Sequence, residues 1–228
     1  MLTFDRVSFR RDGFQLGADF SVDGPGFFAV IGPSGGGKST LLSLIAGFDL
    51  PDTGAVLWGD QNLAPLVPGD RPVAVLFQDN NLFPHLDVLT NVALGASPLA
   101  RPSDGAKTRA RQALERVGLA GYEDRLPSAL SGGQQSRAAL ARILLTDRPV
   151  VLMDEAFSAL GPALRVEMLD LVTELLGDRT VLMVTHDPED ARRNAANTIF
   201  VDGGTVYKPV ETTALFANPH KALAGYLA

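Results

Sequence analysis

A glycine-rich stretch between two apolar runs limits most strongly what this chain can fold into. Residues 32–40 read GPSGGGKST; the apolar run 26–32 leads into them and the helical pattern 38–47 follows. Glycines permit positive φ angles, so several backbone amides can turn toward one anion. The N-terminus of the following helix adds partial positive charge. The stretch therefore predicts a phosphate-binding loop between a strand and a helix.

The same stretch matches a specific pattern for nucleoside triphosphates. Gly32–Ser39 fit G-x-x-x-x-G-K-[ST], placed as that pattern requires after a strand and before a helix. Lys38 is suited to the β- and γ-phosphates, and the Ser39 hydroxyl is suited to a Mg²⁺ ion. The alternative is a glycine-rich turn without a ligand. We predict nucleotide contacts from Gly32, Pro33, Ser34, Gly35, Gly36, Gly37, Lys38, Ser39 and Thr40.

Apolar runs of strand length are separated by helical patterns, which is typical of an α/β fold. The run 26–32 is continuously apolar, as expected of a strand covered on both faces of its sheet. Gly203 and Gly204 predict the turn of a hairpin at 200–207. Strands are predicted at 2–9, 26–32, 55–59, 73–77, 150–153, 181–184 and 198–201. The predicted class is α/β, a P-loop NTPase with a mixed sheet core.

Strands disappear from the pattern between residues 77 and 149. Helical runs at 106–119 and 134–145 replace them, which indicates an inserted, mainly helical subdomain. The stretch PSDG at 102–105 is its most linker-like part. The predicted organisation is a single domain at 1–228, made of a core at 1–78 and 149–228 and a helical subdomain at 79–148.

The composition excludes several classes of protein. No cysteine is present, so disulfides and thiolate metal sites are excluded. No uncharged apolar stretch approaches the roughly 18 residues that cross a bilayer, and the N-terminus lacks a signal-peptide pattern, so we expect a cytosolic chain. The net charge of −6 argues against a generally nucleic-acid-binding surface. Phosphate binding is therefore expected to be local.

Two adjacent carboxylates, Asp154 and Glu155, end the apolar run 150–153. A buried charge without a partner would be costly there, and a cation is a natural partner. In a P-loop protein Asp154 would hold the Mg²⁺ shell, and Glu155 would act as the general base toward the attacking water. The alternative is that both residues only open a solvated loop.

A second glycine-rich helix start, LSGGQ at 130–134, precedes the helical run 134–145. It predicts another anion-binding helix end, and its alternative is an ordinary serine-capped helix. With GPSGGGKST, VVLMDE at 150–155 and Thr185-His186 in this order, the chain resembles the ATP-binding cassette (ABC) ATPases over nearly its whole length. The resemblance implies ATP as the nucleotide and a head-to-tail homodimer in the ATP-bound state. Ser131, Gly132, Gly133 and Gln134 of one subunit would then close on the ATP of the other.

Two further residues are assigned by the resemblance. Gln78 resembles the glutamine that reaches Mg²⁺ and the attacking water, and His186 resembles the switch histidine at the γ-phosphate. A lone glutamine is otherwise usually solvated, and a lone histidine is more often structural. Asp187-Pro188-Glu189 predicts a helix start that fixes the position of His186. His85 and His220 have no comparable support, and a transition-metal site is not expected.

Three positions depart from the family pattern. Ala156 stands where a proline is common, and Gly161 stands where an aspartate often helps to arrange the opposite site. The aromatic residue that commonly stacks on adenine would fall near Arg11. A guanidinium can stack on a base as well, and Phe9 or Phe14 are the alternatives.

The segment 77–95 resembles the surface where importer ATPases receive a membrane subunit. Phe83 is either part of that docking surface or a buried loop anchor. The runs 41–48 and 71–88 resemble the ATPases of bacterial thiamine importers, which implies import of thiamine or its phosphate esters. The same resemblance implies integral membrane permease subunits, an indirect periplasmic binding protein, and a peripheral place on the cytoplasmic face of the plasma membrane.

Other functions stay open at this point. Importers of iron, sulphate or polyamine-like solutes use the same cassette, although such ATPases often carry a further C-terminal domain. Soluble ABC ATPases that act on nucleic acid or ribosomes usually carry two cassettes, a coiled coil or zinc-binding inserts, none of which this sequence shows. We therefore expect no nucleic-acid partner. A P-loop metabolic kinase would leave LSGGQ without a role.

Overall fold

The computed structural model describes residues 1–97 and 101–227 of the chain. These residues form two compact units. The first unit comprises Met1–Val73, Pro149–Asp154 and Gly177–Ala228, and the second comprises Ala74–Arg148 and Glu155–Leu176. The chain therefore leaves the first unit and returns to it twice.

Strands prevail in the first unit and helices in the second. The strands are β1 (Leu2–Arg11), β2 (Phe14–Val22), β3 (Gly26–Ile31), β4 (Thr53–Trp58), β5 (Gln61–Asn62), β6 (Val73–Phe77), β7 (Val150–Asp154), β8 (Thr180–Val184), β9 (Asn197–Asp202), β10 (Thr205–Val206) and β11 (Val210–Glu211). The helices are α1 (Lys38–Ala46), α2 (Val88–Ala93), α3 (Asp104–Arg116), α4 (Gly132–Leu144), α5 (Pro162–Leu176), α6 (Pro188–Asn194), α7 (Thr212–Ala217) and α8 (Lys221–Leu227). Among the residues described, none of these helices is both long and apolar enough for a bilayer span.

The sheet of the first unit is mixed. Its strands follow the order β5-β4-β1-β2-β10-β9-β3-β8-β7, and β11 pairs with β9. β1 pairs antiparallel with β2 and β4, whereas β3 lies parallel between β8 and β9, and β7 pairs parallel with β8. The predicted α/β class with a mixed sheet is confirmed. The predicted hairpin is also present, because β9 and β10 pair antiparallel around Gly203 and Gly204.

The burial of the strands follows their sequence pattern. All residues of β3 after Gly26 are buried, as expected for a parallel strand covered on both faces. β1 and β2 alternate instead, and the rings of Phe4 and Phe20 stack with centroids 4.8 Å apart. The parallel strands β3, β7 and β8 end at one edge of the sheet, where ligands bind in open α/β sheets. The residues that follow them are therefore the candidates for a site.

Helix α1 is fixed at its C-terminal end. It ends at Gly47, which has a φ of 88° and donates its N–H to the Ser43 carbonyl, as the sequence predicts. The buried guanidinium of Arg71 donates to the carbonyls of Leu44 and Ile45 at 2.7 and 3.0 Å. Burial lowers the pKa of Arg71 from its ordinary value. These bonds satisfy carbonyls of the last turn that have no partner within the helix. They therefore fix the C-terminal end of the helix that follows the phosphate loop.

Some element boundaries differ from the predictions. The prediction of a linker at 102–105 is wrong, because Ser103 caps the N-terminus of α3 through its hydroxyl and α3 begins at Asp104. The helix expected at 134–145 begins earlier, at Gly132. β2 was not predicted, because its charged and glycine residues interrupt the apolar run. The strand β2 nevertheless forms, because it pairs with β1 and its alternate residues are buried.

The second unit contains helices α2 to α5. Asp87 caps α2 by accepting the Thr90 N–H at 2.7 Å, and the buried Asn91 accepts the Phe83 N–H and donates to the Phe83 and Leu86 carbonyls. Contacts between α2, α3 and α4, and between α4 and α5, complete the unit. The single-domain organisation stays a prediction. The unit also takes in 155–176, which the prediction assigns to the core.

Candidate functional site

The phosphate loop, residues 32–40, joins β3 to α1 in the first unit. Gly32, Gly35 and Gly37 have φ angles of 147°, 74° and 113°, which favour glycine. A Cβ on Gly32 would lie 1.9 Å from the Val201 carbonyl oxygen, so that position also lacks the space for a side chain. The backbone of the loop therefore adopts a path that other residues would resist.

Two backbone hydrogen bonds hold the loop in its curled shape. The Gly36 N–H donates to the Pro33 carbonyl at 3.1 Å, which closes a turn within the loop. The Gly36 carbonyl accepts the Gly204 N–H at 3.0 Å, which ties the loop to the β9–β10 hairpin. Ser34 and Gly35, at the tip of the turn, are exposed. The anchored loop presents its tip to solvent.

Lys38 is directed into the curl of the loop. Its Nζ donates to the carbonyls of Gly32 and Pro33 at 2.8 and 2.9 Å, and the residue is only 8% exposed. A buried ammonium group needs such partners. A phosphate oxygen is a stronger partner than a neutral carbonyl, because both groups are then charged. Lys38 is therefore placed to meet an anion at the loop.

The N-terminus of α1 favours an anion. Gly37 occupies the cap position and has no side chain to cap the helix. The first turn of α1 also carries no acidic residue. The N-terminal amides of a helix and its dipole both favour negative charge at this point. Ser39 and the half-buried Thr40 lie in this first turn.

Ser39 and Asp154 come together at the edge of the sheet. The Ser39 hydroxyl donates to Asp154 Oδ1 at 3.4 Å, although 115 positions separate the two residues. A hydroxyl and a carboxylate are oxygen ligands of the kind that Mg²⁺ prefers. In the described part of the chain, no cluster of three or more His, Cys, Asp or Glu forms a metal site. This donor pair fits Mg²⁺, which commonly takes one or two protein ligands together with phosphates and waters.

His186 lies in a tight turn between β8 and α6. The predicted helix start is confirmed, because the Asp187 carboxylate accepts the Glu189 N–H at 2.9 Å. The buried Thr185 hydroxyl donates to Asp190 Oδ2 at 2.7 Å and accepts the Asp187 N–H at 3.1 Å. The turn is thus fixed from within, while the His186 side chain is exposed.

Tyr226, a residue that the sequence analysis missed, contacts this turn. Its hydroxyl donates to the His186 carbonyl at 3.1 Å. Burial is the main cause of its raised pKa; the Asp187 charge adds to this, and a hydrogen bond with the Gly32 backbone opposes it. No motif around Tyr226 signals these contacts, because they arise only when α8 folds back onto the first unit.

Glu155, Gln78 and the start of α4 lie in the second unit. Glu155 has a φ of 49°, unusual for a side-chain-bearing residue, and its carbonyl accepts the Ser158 N–H at 3.0 Å. Ala156 and Phe157 after it are buried. Strained backbone of this kind is often found at functional positions. At Gly161 an added Cβ would meet nothing within 4 Å, so space alone does not require glycine there.

Ser131 begins α4 with a capping box. Its hydroxyl accepts the Gln134 N–H at 3.3 Å, and Gln134 Oε1 accepts the Ser131 N–H at 2.9 Å. Gln134 also donates to the Tyr122 hydroxyl. Gly133 is buried, and a Cβ there would lie 2.6 Å from Leu164 Cδ2. The serine-capped helix is therefore present, and close packing explains Gly133. Gly132 is exposed.

Gln78 is exposed at the end of β6. The following turn contains Asn80 and Asn81, which have φ angles of 59° and 46°. Arg142 of α4, a residue that the sequence analysis did not single out, donates to their carbonyls at 2.9 and 2.7 Å. Burial lowers its pKa. These bonds fix the turn that carries Gln78.

The three candidates for stacking on adenine differ in their surroundings. Arg11 is exposed, forms an ion pair with Asp49, and lies 5.6 Å from the centre of the Phe9 ring. Phe9 is buried in the sheet. Phe14 is half-buried, and its Cζ lies 2.9 Å from the position of a Cβ on Gly37. Among the three, Phe14 therefore borders the phosphate loop most closely.

Comparisons with known proteins agree with this geometry. The ABC transporter family model matches residues 17–158. The chain is 56% identical to "Thiamine import ATP-binding protein ThiQ" of Cereibacter sphaeroides, with 100% of this chain and 99% of that protein covered. It is 51% identical to the protein of the same name from Ruegeria sp. strain TM1040, with the same coverage.

Two solved structures share the fold. CbiO1 of Clostridium perfringens, part of the ABC transporter complex cbiONQ, has a TM-score of 0.84 at 25% identity over 99% of this chain and 93% of that one. The dimeric structure of MJ0796, a bacterial ABC transporter cassette, has a TM-score of 0.78 at 28% identity over 93% of this chain and 99% of that one. The chain belongs to the ABC transporter family and is an ATP-binding, ATP-hydrolysing cassette of that family.

Proposed function

We propose that this chain powers a bacterial importer of thiamine or its phosphate esters. The observation that carries the substrate assignment is the 56% identity over the whole chain to a thiamine import ATP-binding protein. The site of an ATPase does not bind the transported compound, so the site residues themselves carry no information on the solute. The assignment therefore needs a transport experiment.

ATP is proposed to bind the first unit through residues 32–40, with Gly32, Pro33, Ser34, Gly35, Gly36, Gly37, Lys38, Ser39 and Thr40 in contact. The N-terminus of α1, which begins after Gly37, and the ammonium of Lys38 support this, since both favour phosphate oxygens. Phe14 is our candidate beside the base because it borders Gly37. Arg11 remains a second candidate, with its guanidinium already paired to Asp49.

Mg²⁺ is proposed to be held by Ser39 and Asp154, together with Gln78. The bond between the Ser39 hydroxyl and Asp154 supports the first two ligands. When bound, the ion would neutralise charge on the β- and γ-phosphates. Gln78 is an exposed residue of the second unit, and its role rests on the family resemblance.

Glu155 is proposed to be the general base. It would accept a proton from water as the water oxygen attacks the γ-phosphorus and the bond to the ADP oxygen breaks. Gln78 would orient that water, and the exposed His186 would contact the γ-phosphate. The positive φ of Glu155 supports a functional role for its unusual backbone.

The capped start of α4 is proposed to meet ATP held by a second copy of the chain. Ser131, Gly132, Gly133 and Gln134 would form this contact in an ATP-bound homodimer. The exposure of Ser131 and Gly132 supports it, whereas Gln134 is already engaged with Ser131 and Tyr122. The dimeric cassette among the similar structures gives a precedent.

The exposed loop before α2 is proposed to receive the membrane subunits. Phe83 is 46% exposed and its ring lies 6.0 Å from that of His85. An exposed aromatic residue on a loop held by Asn91 suits a docking surface better than a buried anchor. The chain would thus act at the cytoplasmic face of the plasma membrane with permease subunits, and indirectly with a periplasmic binding protein.

Reconstitution with the permease subunits tests the function. ATP hydrolysis in the vesicles should rise several-fold with thiamine-loaded binding protein and remain at the basal rate with iron, sulphate or polyamine. Glu155→Gln should bind ATP and lose hydrolysis by at least about a hundredfold. Stimulation by another solute would contradict thiamine import, and stimulation by DNA or ribosomes would contradict import altogether.

A further inference from the structure

We infer that Tyr226 is a positioning residue for ATP hydrolysis, because its hydroxyl holds the backbone of the turn that carries His186. The inference rests on the proposed role of His186 at the γ-phosphate. Tyr226 itself need not touch the nucleotide. It would act through the backbone of the turn that follows the parallel strand β8.

The contact of the hydroxyl defines this link. It donates to the His186 carbonyl at 3.1 Å. The phenol of α8 therefore bonds to the backbone of the residue to which the γ-phosphate contact is assigned.

Helix α8 holds Tyr226 from a fixed position. The Tyr226 ring packs against Phe200 of β9 with centroids 5.9 Å apart, and His220 packs against the same ring at 5.2 Å. His220 also stacks on Tyr207 at 4.5 Å and accepts the Leu223 N–H at 3.4 Å. Leu223 is fully buried. This aromatic cluster, formed by Phe200, Tyr207, His220 and Tyr226, attaches α8 to the sheet and gives His220 a structural role.

The His186 turn is consequently held from two sides. Thr185 and Asp190 fix it internally through their 2.7 Å hydrogen bond, and Tyr226 fixes it from α8. The His186 side chain is exposed. Its position depends on the backbone that carries it, and small displacements of groups in an active site reduce the rate strongly.

Tyr226→Phe removes the hydroxyl and keeps the ring on Phe200. We expect kcat of the purified chain to fall about three- to tenfold, as for the loss of one hydrogen bond, and KM for ATP to change less than about twofold. Tyr207→Phe is the matched control, because it removes a hydroxyl from the same aromatic cluster. Its kcat should stay within about twofold of the wild type.

Two further measurements separate positioning from general loosening of the fold. The chain has three histidines, so their ring resonances can be resolved by NMR. Tyr226→Phe should shift the His186 resonances, with His85 as the internal reference. Adding Tyr226→Phe to His186→Ala should cause little further loss of kcat, because the tyrosine would act through the histidine.

Several outcomes would overturn the inference. They are an unchanged kcat in Tyr226→Phe, an unshifted His186 resonance, an equal loss in Tyr207→Phe, or full additivity with His186→Ala. Failure of the proposed ATPase function would look different, since the wild-type chain itself would then lack hydrolysis. Reconstituted transport that fails with thiamine would leave the Tyr226 comparison intact, because that comparison uses only ATP turnover.

Discussion

The two glycine-rich helix starts of this chain differ in how their N-termini are capped. At α1 the cap residue is Gly37 in a left-handed conformation, which has no side chain to cap the helix. At α4 the cap residue is Ser131, and its capping box with Gln134 bonds the N–H groups of Ser131 and Gln134 within the chain. The capping residue, and not the glycine content, therefore sets which amides of each helix start are bonded within the chain.

The glycines themselves also serve different purposes. Gly32 and Gly37 have left-handed φ angles that shape the phosphate loop. Gly133 instead packs against Leu164, whose Cδ2 would lie 2.6 Å from an added Cβ and would have to move. The LSGGQ motif at 130–134 thus combines a capping serine, an exposed glycine and a buried glycine that packs against a neighbour. The following experiments test this contrast.

Lys38→Ala should have the largest effect. Loss of the ammonium removes a charge-assisted contact worth roughly 1.5–3 kcal/mol, so ATP affinity should fall about 10- to 100-fold. Titration calorimetry with ATP and Mg²⁺ measures the change, with the exposed Lys208→Ala as control. Equal affinities of the Lys38 variant and the wild type would contradict an anion site at α1.

Gly37→Ala should destabilise the fold more than Gly35→Ala does. Both positions have left-handed φ angles, which cost an alanine roughly 1–2 kcal/mol of folding free energy at each position. Only the Gly37 variant also places a Cβ 2.9 Å from Phe14 Cζ. At Gly35 an added Cβ meets nothing within 4 Å. Urea unfolding of the two variants compares them directly. Equal free energies of unfolding would show that the contact with Phe14 relaxes without cost.

Ser131→Ala tests whether α4 depends on its own cap. Removing the hydroxyl should lower the free energy of unfolding by about 1 kcal/mol. Ser128→Ala, in the exposed turn before α4, should change it by less than about 0.5 kcal/mol. Denaturant titration gives both values. A loss in the first variant no greater than in the second would mean that the capping box adds no stability.

Glu211→Gln should have the smallest effect. Glu211 caps the N-terminus of α7 with a charged carboxylate. The Glu211 carboxylate accepts the N–H groups of Ala214 and Thr213, and these bonds lower its pKa from the ordinary 4.5. Its stabilising contribution is therefore present above pH 4.5 and is lost as pH falls through the lower folded-state pKa. Tm measured against pH should converge for variant and wild type in acid. A constant difference in Tm across that range would refute the assignment.

The local features of the site were predictable because they depend on neighbours in sequence. The phosphate loop, the end of α1 at Gly47, the Asp187 cap and the serine start of α4 all follow from short patterns of glycine, hydroxyl and carboxylate residues. Helix propensity and capping act over a few residues, so a short window contains what determines them. The alternation of strands and helices likewise indicated the α/β class.

Long-range contacts were decided only by the tertiary structure. The Ser39–Asp154 bond, the Arg142 bonds to the Asn80 turn and the Tyr226 link to His186 join residues far apart in the chain. The strand β2 also escaped prediction, because its burial depends on pairing with β1. The sequence by itself determined which segment can surround a phosphate. The packing of strands and helices determined which distant side chains stand beside that segment, since those contacts exist only once the sheet has formed.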